Sequence, residues 1–323
     1  MLNCIGFLYP FTKIMMMINK NTIKIGSKIV AIALITLLMN ACSKCSDNKD
    51  ITQTGTDDLP DNDTVKAVGL NIGGQLFSIP SPMQTAMLIQ KSGISYDKSI
   101  LNAGNKNGQY TTDLSMSLNL GVYGADLGYV SMYNQTQDAL GYFGAVKQLA
   151  DKIGVSAAFD QALIKRINDN ISIKDSMLML VGVAYRASDA YLKTNKRTEI
   201  SSLILTGGWI ESMHFSISAF KQKSNNEFKQ RIAEQKQALS SIIALLSSHG
   251  LESTKNLIAQ LEDLAKVYEG VTSTYTFVEP VTDEAKKITY INSTTQINIS
   301  EDQLKQISEK INTIRESIIN SKS

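Results

Sequence analysis

Two stretches of this chain are helical in pattern yet almost free of charge. Between Asp113 and Asp138 the one charged residue is Asp126, and between Glu199 and Lys221 it is Glu211. A helix that meets water on one side carries a polar stripe there, whereas a helix apolar on nearly all sides must be covered all round. Segments 114–133 and 200–219 therefore form the heart of a helical bundle that the rest of the chain has to wrap. Neither needs a bilayer, because Ser, Asn, Thr, Gln and Tyr are scattered through both. Glycines are frequent here: Gly121, Gly124 and Gly128, then Gly141 and Gly144 in the next segment, and Gly207-Gly208 in the second stretch. Each would weaken an isolated helix by roughly 1 kcal/mol relative to alanine. Close helix–helix approach or local kinking is expected at these positions.

The remainder supplies the cover. Helical periodicity predicts segments near 82–92, 111–133, 135–153, 156–171, 174–194, 198–222, 226–248 and 251–269. Ser81-Pro82-Met83-Gln84 reads as a capped helix start, and Gly154, Gly250 and Gly270 suit helix C-termini. Leu257, Leu261, Leu264 and Tyr268 form one buried stripe, and Phe228, Ile232, Leu239, Ile242 and Leu246 form another. Ser300-Glu301-Asp302-Gln303 is a second capping box, launching a final helix with Leu304, Ile307, Ile311, Ile314 and Ile318 on one side. That row is too short for a coiled-coil seam, so packing onto its own bundle is expected. Short strand-like residues occupy 68–79, and 273–278 with 288–299 read as a small β-hairpin or a pair of extended segments. The fold expected is mainly α: a multi-helix bundle over 67–323 with a short β-hairpin near the C-terminus. No period of 34 or 40 residues is present, which argues against a helical solenoid.

A lone charge in an apolar helix must be paired, neutralised or placed at a wet pocket. Asn119, Tyr123, Asp126, Val130 and Tyr133 share one helical face; Gly207, Glu211, His214 and Ser218 share another, with Trp209 close by. If these faces meet, Tyr123, Asp126, Tyr133, Trp209, Glu211 and His214 line a candidate pocket, with Arg186 and Asp189 as candidate partners. Two readings are open: a ligand site lined by aromatics with a few polar anchors, or a buried hydrogen-bond network holding the bundle in register. An enzyme would require Asp126, Glu211 and His214 to converge around a cavity open to solvent.

Several chemistries are excluded or poorly supported. Glu211 and His214 have the Glu-x-x-His spacing of di-iron bundles, but such sites need a second copy and two further glutamates. The chain has two histidines in all, and no set of three or four zinc ligands is complete. There is no nucleophile elbow, phosphate-cradling loop or dinucleotide fingerprint, so no cofactor and no catalytic residue is assigned. Formal net charge is +2 including the N-terminal lysines, and nothing supports nucleic-acid binding.

The N-terminus constrains location. Lys20, Lys24 and Lys28 precede a run of about eleven mostly apolar residues, 29–39, short of the roughly 20 that a bilayer-spanning helix needs. That combination reads as a secretory signal over 1–41, with Met17 a possible true start. Leu38-Met39-Asn40-Ala41-Cys42 resembles the lipobox of bacterial lipoproteins, in which the cysteine is diacylated and becomes the new N-terminus. Residues 42–66 then form a lipidated cysteine and a flexible acidic tether, too poor in apolar surface to order itself, with an average reach of about 25 Å. Cys45 is the other cysteine after the cut, so no disulfide staples the domain. Together with Cys42, the stretches Leu118–Tyr129 and Leu205–Glu211 resemble a Bacteroidota family of envelope lipoproteins of unknown function. The resemblance implies anchorage to a membrane through lipid on Cys42, most simply the outer membrane, on its periplasmic face or at the cell surface. It further implies a helical domain that binds an envelope protein partner or a small ligand.

Overall fold

The computed structural model describes residues 68–72, 75–79, 82–284 and 286–321. The signal, Cys42, the tether and the Ser81 cap lie outside the described residues. The chain is mainly α, with ten helices among the described residues: α1 (Pro82–Lys91), α2 (Asp113–Met132), α3 (Thr136–Lys152), α4 (Gln161–Asn170), α5 (Lys174–Thr194), α6 (Thr198–Gln222), α7 (Asn226–Ala233), α8 (Lys236–Ser248), α9 (Lys255–Glu269) and α10 (Glu301–Ile319). Strands are short and antiparallel. β1 (Val68–Ile72) pairs with β2 (Gln75–Ile79), β3 (Thr272–Thr276) with β6 (Thr294–Asn298), and β4 (Val281–Asp283) with β5 (Ile288–Tyr290).

The two charge-poor helices, α2 and α6, form the most extensive helix pair and lie between two hydrophobic clusters. From α2, Leu120, Leu127 and Val130 enter the cluster shared with α1, α3, α4 and α5, while Leu118 and Val122 enter the cluster shared with α8, α9 and α10. From α6, Ile204 and Phe215 go one way, and Trp209, Ile210, Met213 and Ile217 go the other. A helix serving two cores has no wet face, which is why these segments lack an amphipathic stripe.

Their backbones touch at glycine. A methyl group at Gly121 would overlap the carbonyl oxygen of Ile204, and one at Gly207 would overlap that of Leu118. Gly124 and Gly208 instead make room for Tyr185 of α5, whose hydroxyl donates to the Gly121 carbonyl at 3.1 Å. The expectation of close approach or kinking does not extend to Gly141 and Gly144. Both face open space on the exposed side of α3, which is unbroken there.

The outer helices bury the stripes read from the sequence, including Leu257, Leu261, Leu264 and Tyr268 on α9 and the Leu304-to-Ile318 row on α10, which packs on α9 and α6. Gly154 and Gly250 hold left-handed turns after α3 and α8, with φ of +70° and +61°. Gly270 differs: its φ is −79°, and its missing side chain leaves space for that of Gln303.

Two boundaries depart from periodicity. The helix expected over 156–171 begins as a 3-10 turn at Ser156–Ala158, and α4 starts only after Asp160, whose carboxylate accepts from the Leu163 amide at 2.6 Å. The helix expected over 226–248 breaks at Glu234-Gln235. Side chains take the carbonyls that the break leaves without a full helical partner. The Gln235 amide donates to Arg231 at 3.0 Å, and the Tyr268 hydroxyl to Ile232 at 2.8 Å. The hydrophobic stripe persists through the break, which is why periodicity alone does not reveal it.

The expected hairpin is a ribbon in two sections. β3 and β6 form its base, and β4 and β5, which the periodicity did not separate, form its tip. At the tip Val281 pairs with Tyr290 and Asp283 with Ile288, placing them on one face, while Thr282 and Thr289 share the other with their hydroxyls 3.1 Å apart.

Candidate functional site

The candidate residues are organised by a piece of chain without regular structure. Between α1 and α2, residues 93–112 contain two 3-10 turns, Lys98–Ile100 and Gly104–Gln109, yet bury Ile94, Leu101, Asn102 and Tyr110. Backbone buried outside a helix or sheet must find other partners. Here side chains of the bundle provide them. Tyr133 donates to the Ile94 carbonyl at 2.7 Å, Tyr142 to Asn102 at 2.9 Å and Tyr123 to Ala103 at 2.9 Å. The Ile100 carbonyl receives Arg315 Nη2 at 2.9 Å and faces His214 Nε2 at 3.1 Å. Burial pushes the Tyr123 and Tyr133 phenols above the usual tyrosine range, so both remain donors.

At the centre lies an ion pair. Glu211 of α6 is fully buried, and Arg315 of α10 grips it with Nε to Oε2 at 2.6 Å and Nη2 to Oε1 at 2.7 Å. Burial alone would lower the guanidinium pKa; the Glu211 charge more than offsets it, and Arg315 stays ionised. Asp126 of α2 is also fully buried, and neither of its oxygens has a donor in good hydrogen-bond geometry. Its polar neighbours include the Glu211 carboxyl and the Asn102 backbone. Burial, and then the negative charge of Glu211, hold its pKa well above the usual carboxylate range against the opposing pull of Arg315. The cluster thus sets two buried carboxyl groups beside one guanidinium, and burial disfavours the charged form of Asp126.

His214 is tied in beside this cluster. Burial lowers its pKa, despite the attraction of Glu211. Nε2 faces the Ile100 carbonyl at 3.1 Å and Nδ1 lies 3.2 Å from Asn312 Oδ1.

The structure thus gathers Tyr123, Asp126, Tyr133, Glu211 and His214 around residues 94–103, but not around an open pocket. Trp209 faces the opposite core, where its indole N–H donates to Gln235 at 3.0 Å. Arg186 is exposed, and Asp189 pairs with Lys193 at 2.6 Å and accepts from Ser201; neither reaches Asp126 or Glu211. Reading the sequence missed Arg315, although it lies four residues after Ile311 and so on the buried side of α10. It also missed Asn102, whose amide donates at 3.2 Å to Asn119, a residue already placed on the face of Tyr123 and Asp126. Asn102 carries no periodic signal because it lies outside any helix.

Two cavities lie elsewhere. A polar groove of about 770 Å³ runs between α7, the start of α10 and the ribbon base, lined by Lys229, Gln230, Thr272 and Gln296 among others. A cleft of about 460 Å³ opens among α2, α3, α4 and α5, with walls that include Leu120, Leu127, Phe143, Val146, Ile167 and Val181. Its mouth holds Lys147 and Asp151, paired at 2.9 Å. Neither cavity is lined by Asp126, Glu211 or His214.

Among the described residues, no group of three His, Cys, Asp or Glu is placed to hold a metal ion, and no helix is long and apolar enough to cross a membrane. No family profile, curated protein sequence or solved structure matches the chain.

Proposed function

We propose that this chain is a bacterial envelope lipoprotein, held to the membrane by lipid on Cys42, whose helical domain binds a small apolar ligand and performs no catalysis. One contrast carries the reading of the domain. Asp126 and Glu211 are buried, Glu211 is held by Arg315, and half-buried His214 faces Asn312 and the Ile100 carbonyl. The cleft open to solvent is apolar, as binding sites for small molecules are, and falls within their usual range of about 300–1,000 Å³. A general acid or base must reach the proton it moves, and this centre is closed around its own partners.

The anchor reading rests on the lipobox-like Leu38–Cys42 and the basic, short apolar signal before it. These features, with the resemblance to Bacteroidota envelope lipoproteins, favour the outer membrane. A domain on a flexible lipid tether samples the layer beside the bilayer, where apolar molecules concentrate.

Two measurements test this function. Wild-type protein should float with membranes in a density gradient, and Cys42→Ala should not; a Cys42→Ala protein that still floats removes the lipoprotein reading. The Cys42→Ala protein should raise the fluorescence of the neutral probe N-phenyl-1-naphthylamine saturably at 1:1, and Ala184→Phe in the cleft wall should abolish that rise. Equal, non-saturating fluorescence from both proteins would remove the binding reading.

A further inference from the structure

We infer that the cleft among α2, α3, α4 and α5 selects an uncharged, largely hydrocarbon molecule, with at most one neutral polar end left at the mouth. This rests on the binding reading above and deepens it by naming the class of ligand.

The interior offers no hydrogen-bond donor to spare. The Tyr185 hydroxyl donates to the Gly121 carbonyl at 3.1 Å, and the Ser188 hydroxyl to the Ala184 carbonyl at 2.9 Å. The remaining inner wall comes from side chains such as Leu120, Phe143, Ile164 and Val181. A ligand that brought a carbonyl, carboxylate or other acceptor into this space would lose its bonds to water and find no replacement donor. Burial of hydrocarbon is the interaction the walls can supply.

The mouth disfavours charge of either sign. Lys147 and Asp151 lie one helical turn apart on α3 with their charges 2.9 Å from one another. The hydrogen bond from Lys147 holds the Asp151 carboxyl below the usual carboxylate range, and each group sits against the other's opposite charge. An anionic head would compete with Asp151 for the lysine, and a cationic head would compete with Lys147 for the aspartate. Ser156 and Gln161 are the neutral polar side chains at the same rim, suited to a hydroxyl, ester or amide.

Length follows from the helices. The wall runs from Leu120 to Leu127 on α2 and from Val181 to Ser188 on α5, about 10 Å on each at the helical rise per residue. A volume of about 460 Å³ over that length is wider than one extended chain requires, so a ring system or a folded chain fits as well as a straight one. The common requirement is hydrocarbon without charge.

The test displaces N-phenyl-1-naphthylamine from the full chain carrying Cys42→Ala with 1-octanol, 1-decanol, 1-dodecanol, dodecanoate and dodecylammonium. Affinity for the alcohols should rise about fourfold per added CH₂, and both charged dodecyl compounds should bind at least tenfold more weakly than dodecanol. Ala184→Phe, and the milder Ala157→Phe at the exposed rim, should abolish dodecanol binding while the thermal midpoint stays within a few degrees. Lys147→Gln leaves Asp151 without its counter-charge and should shift preference toward dodecylammonium. If dodecanoate or dodecylammonium binds the wild-type cleft as tightly as dodecanol, the class assigned here is wrong although the cleft still binds. If no compound displaces the probe and the filled variants match the parent, both this inference and the binding reading fall.

Discussion

Arg315 and Glu211 are joined by two parallel hydrogen bonds of 2.6 and 2.7 Å, although they lie 104 residues apart in the chain. This pair fastens the last helix to a central one and at the same time fixes the loop at Ile100 through Nη2. Its value to stability is conditional. Two charges removed from water are stabilised only while both partners and their hydrogen bonds are present.

Arg315→Ala should therefore cost about 3–5 kcal/mol, because it leaves the Glu211 carboxylate buried and also strips the Ile100 carbonyl of a donor. The double variant Glu211→Leu with Arg315→Met should recover most of that loss. Chemical denaturation of the wild type, the single variants and the double variant gives the coupling directly. Strictly additive losses would show that the pair does not act as a unit.

The raised pKa of Asp126 has a signature in pH. Its folded-state pKa is raised, by burial first and the Glu211 charge second, above an unfolded value of about 3.9. Between those two pKa values the folded state binds more protons than the unfolded one, so this residue's contribution to stability falls as pH rises. Asp126→Asn keeps a donor toward Glu211 and has nothing to ionise. The variant should match the wild type near pH 4 and become progressively more stable than it with rising pH, until the wild-type acid has titrated. His214 acts in the other sense: burial lowers its pKa, so its contribution is lost as pH falls below about 6.5. Because His214 is common to both proteins, the difference between their denaturation curves from pH 4 to 9 isolates Asp126. A constant difference would mean that Asp126 carries no extra proton.

The glycines divide into two groups with opposite expected responses. Gly121→Ala and Gly207→Ala push a methyl group into a backbone carbonyl of the facing helix, so each should destabilise by about 1–3 kcal/mol or more. Gly141→Ala and Gly144→Ala meet nothing within 4 Å and should stabilise by about 0.5–1 kcal/mol each through helix propensity. Thermal midpoints of the four variants suffice. Loss of stability at Gly141 would mean that α3 is packed against something in solution.

Legibility in the sequence followed the kind of physics involved. The α9 and α10 stripes, the Ser300 capping box and the left-handed Gly154 and Gly250 all depend on residues within a few positions of one another, and all were readable. The break at Glu234-Gln235 was not, because it depends on Tyr268 and Trp209 meeting it from other helices. The candidate site was half legible. Asp126 and Glu211 stood out as lone charges in apolar helices, and their isolation required a partner. That partner, Arg315, sits in a helix where charged residues are ordinary, and only its place four residues after Ile311 set it apart from its solvated neighbours.

What the sequence determined by itself was the class of structure: two charge-poor helices that must be covered, and amphipathic helices able to cover them. Periodicity and capping are local, and each segment carries that information in its own residues. Only the tertiary structure decided what the lone charges are for. It spends Tyr123, Tyr133, His214 and Arg315 on the carbonyls of a buried loop, and turns Trp209 to the other core. It also forms the apolar cleft from five helices whose contributing residues look like ordinary core. A cavity is a mismatch between packed surfaces, and no single segment contains it.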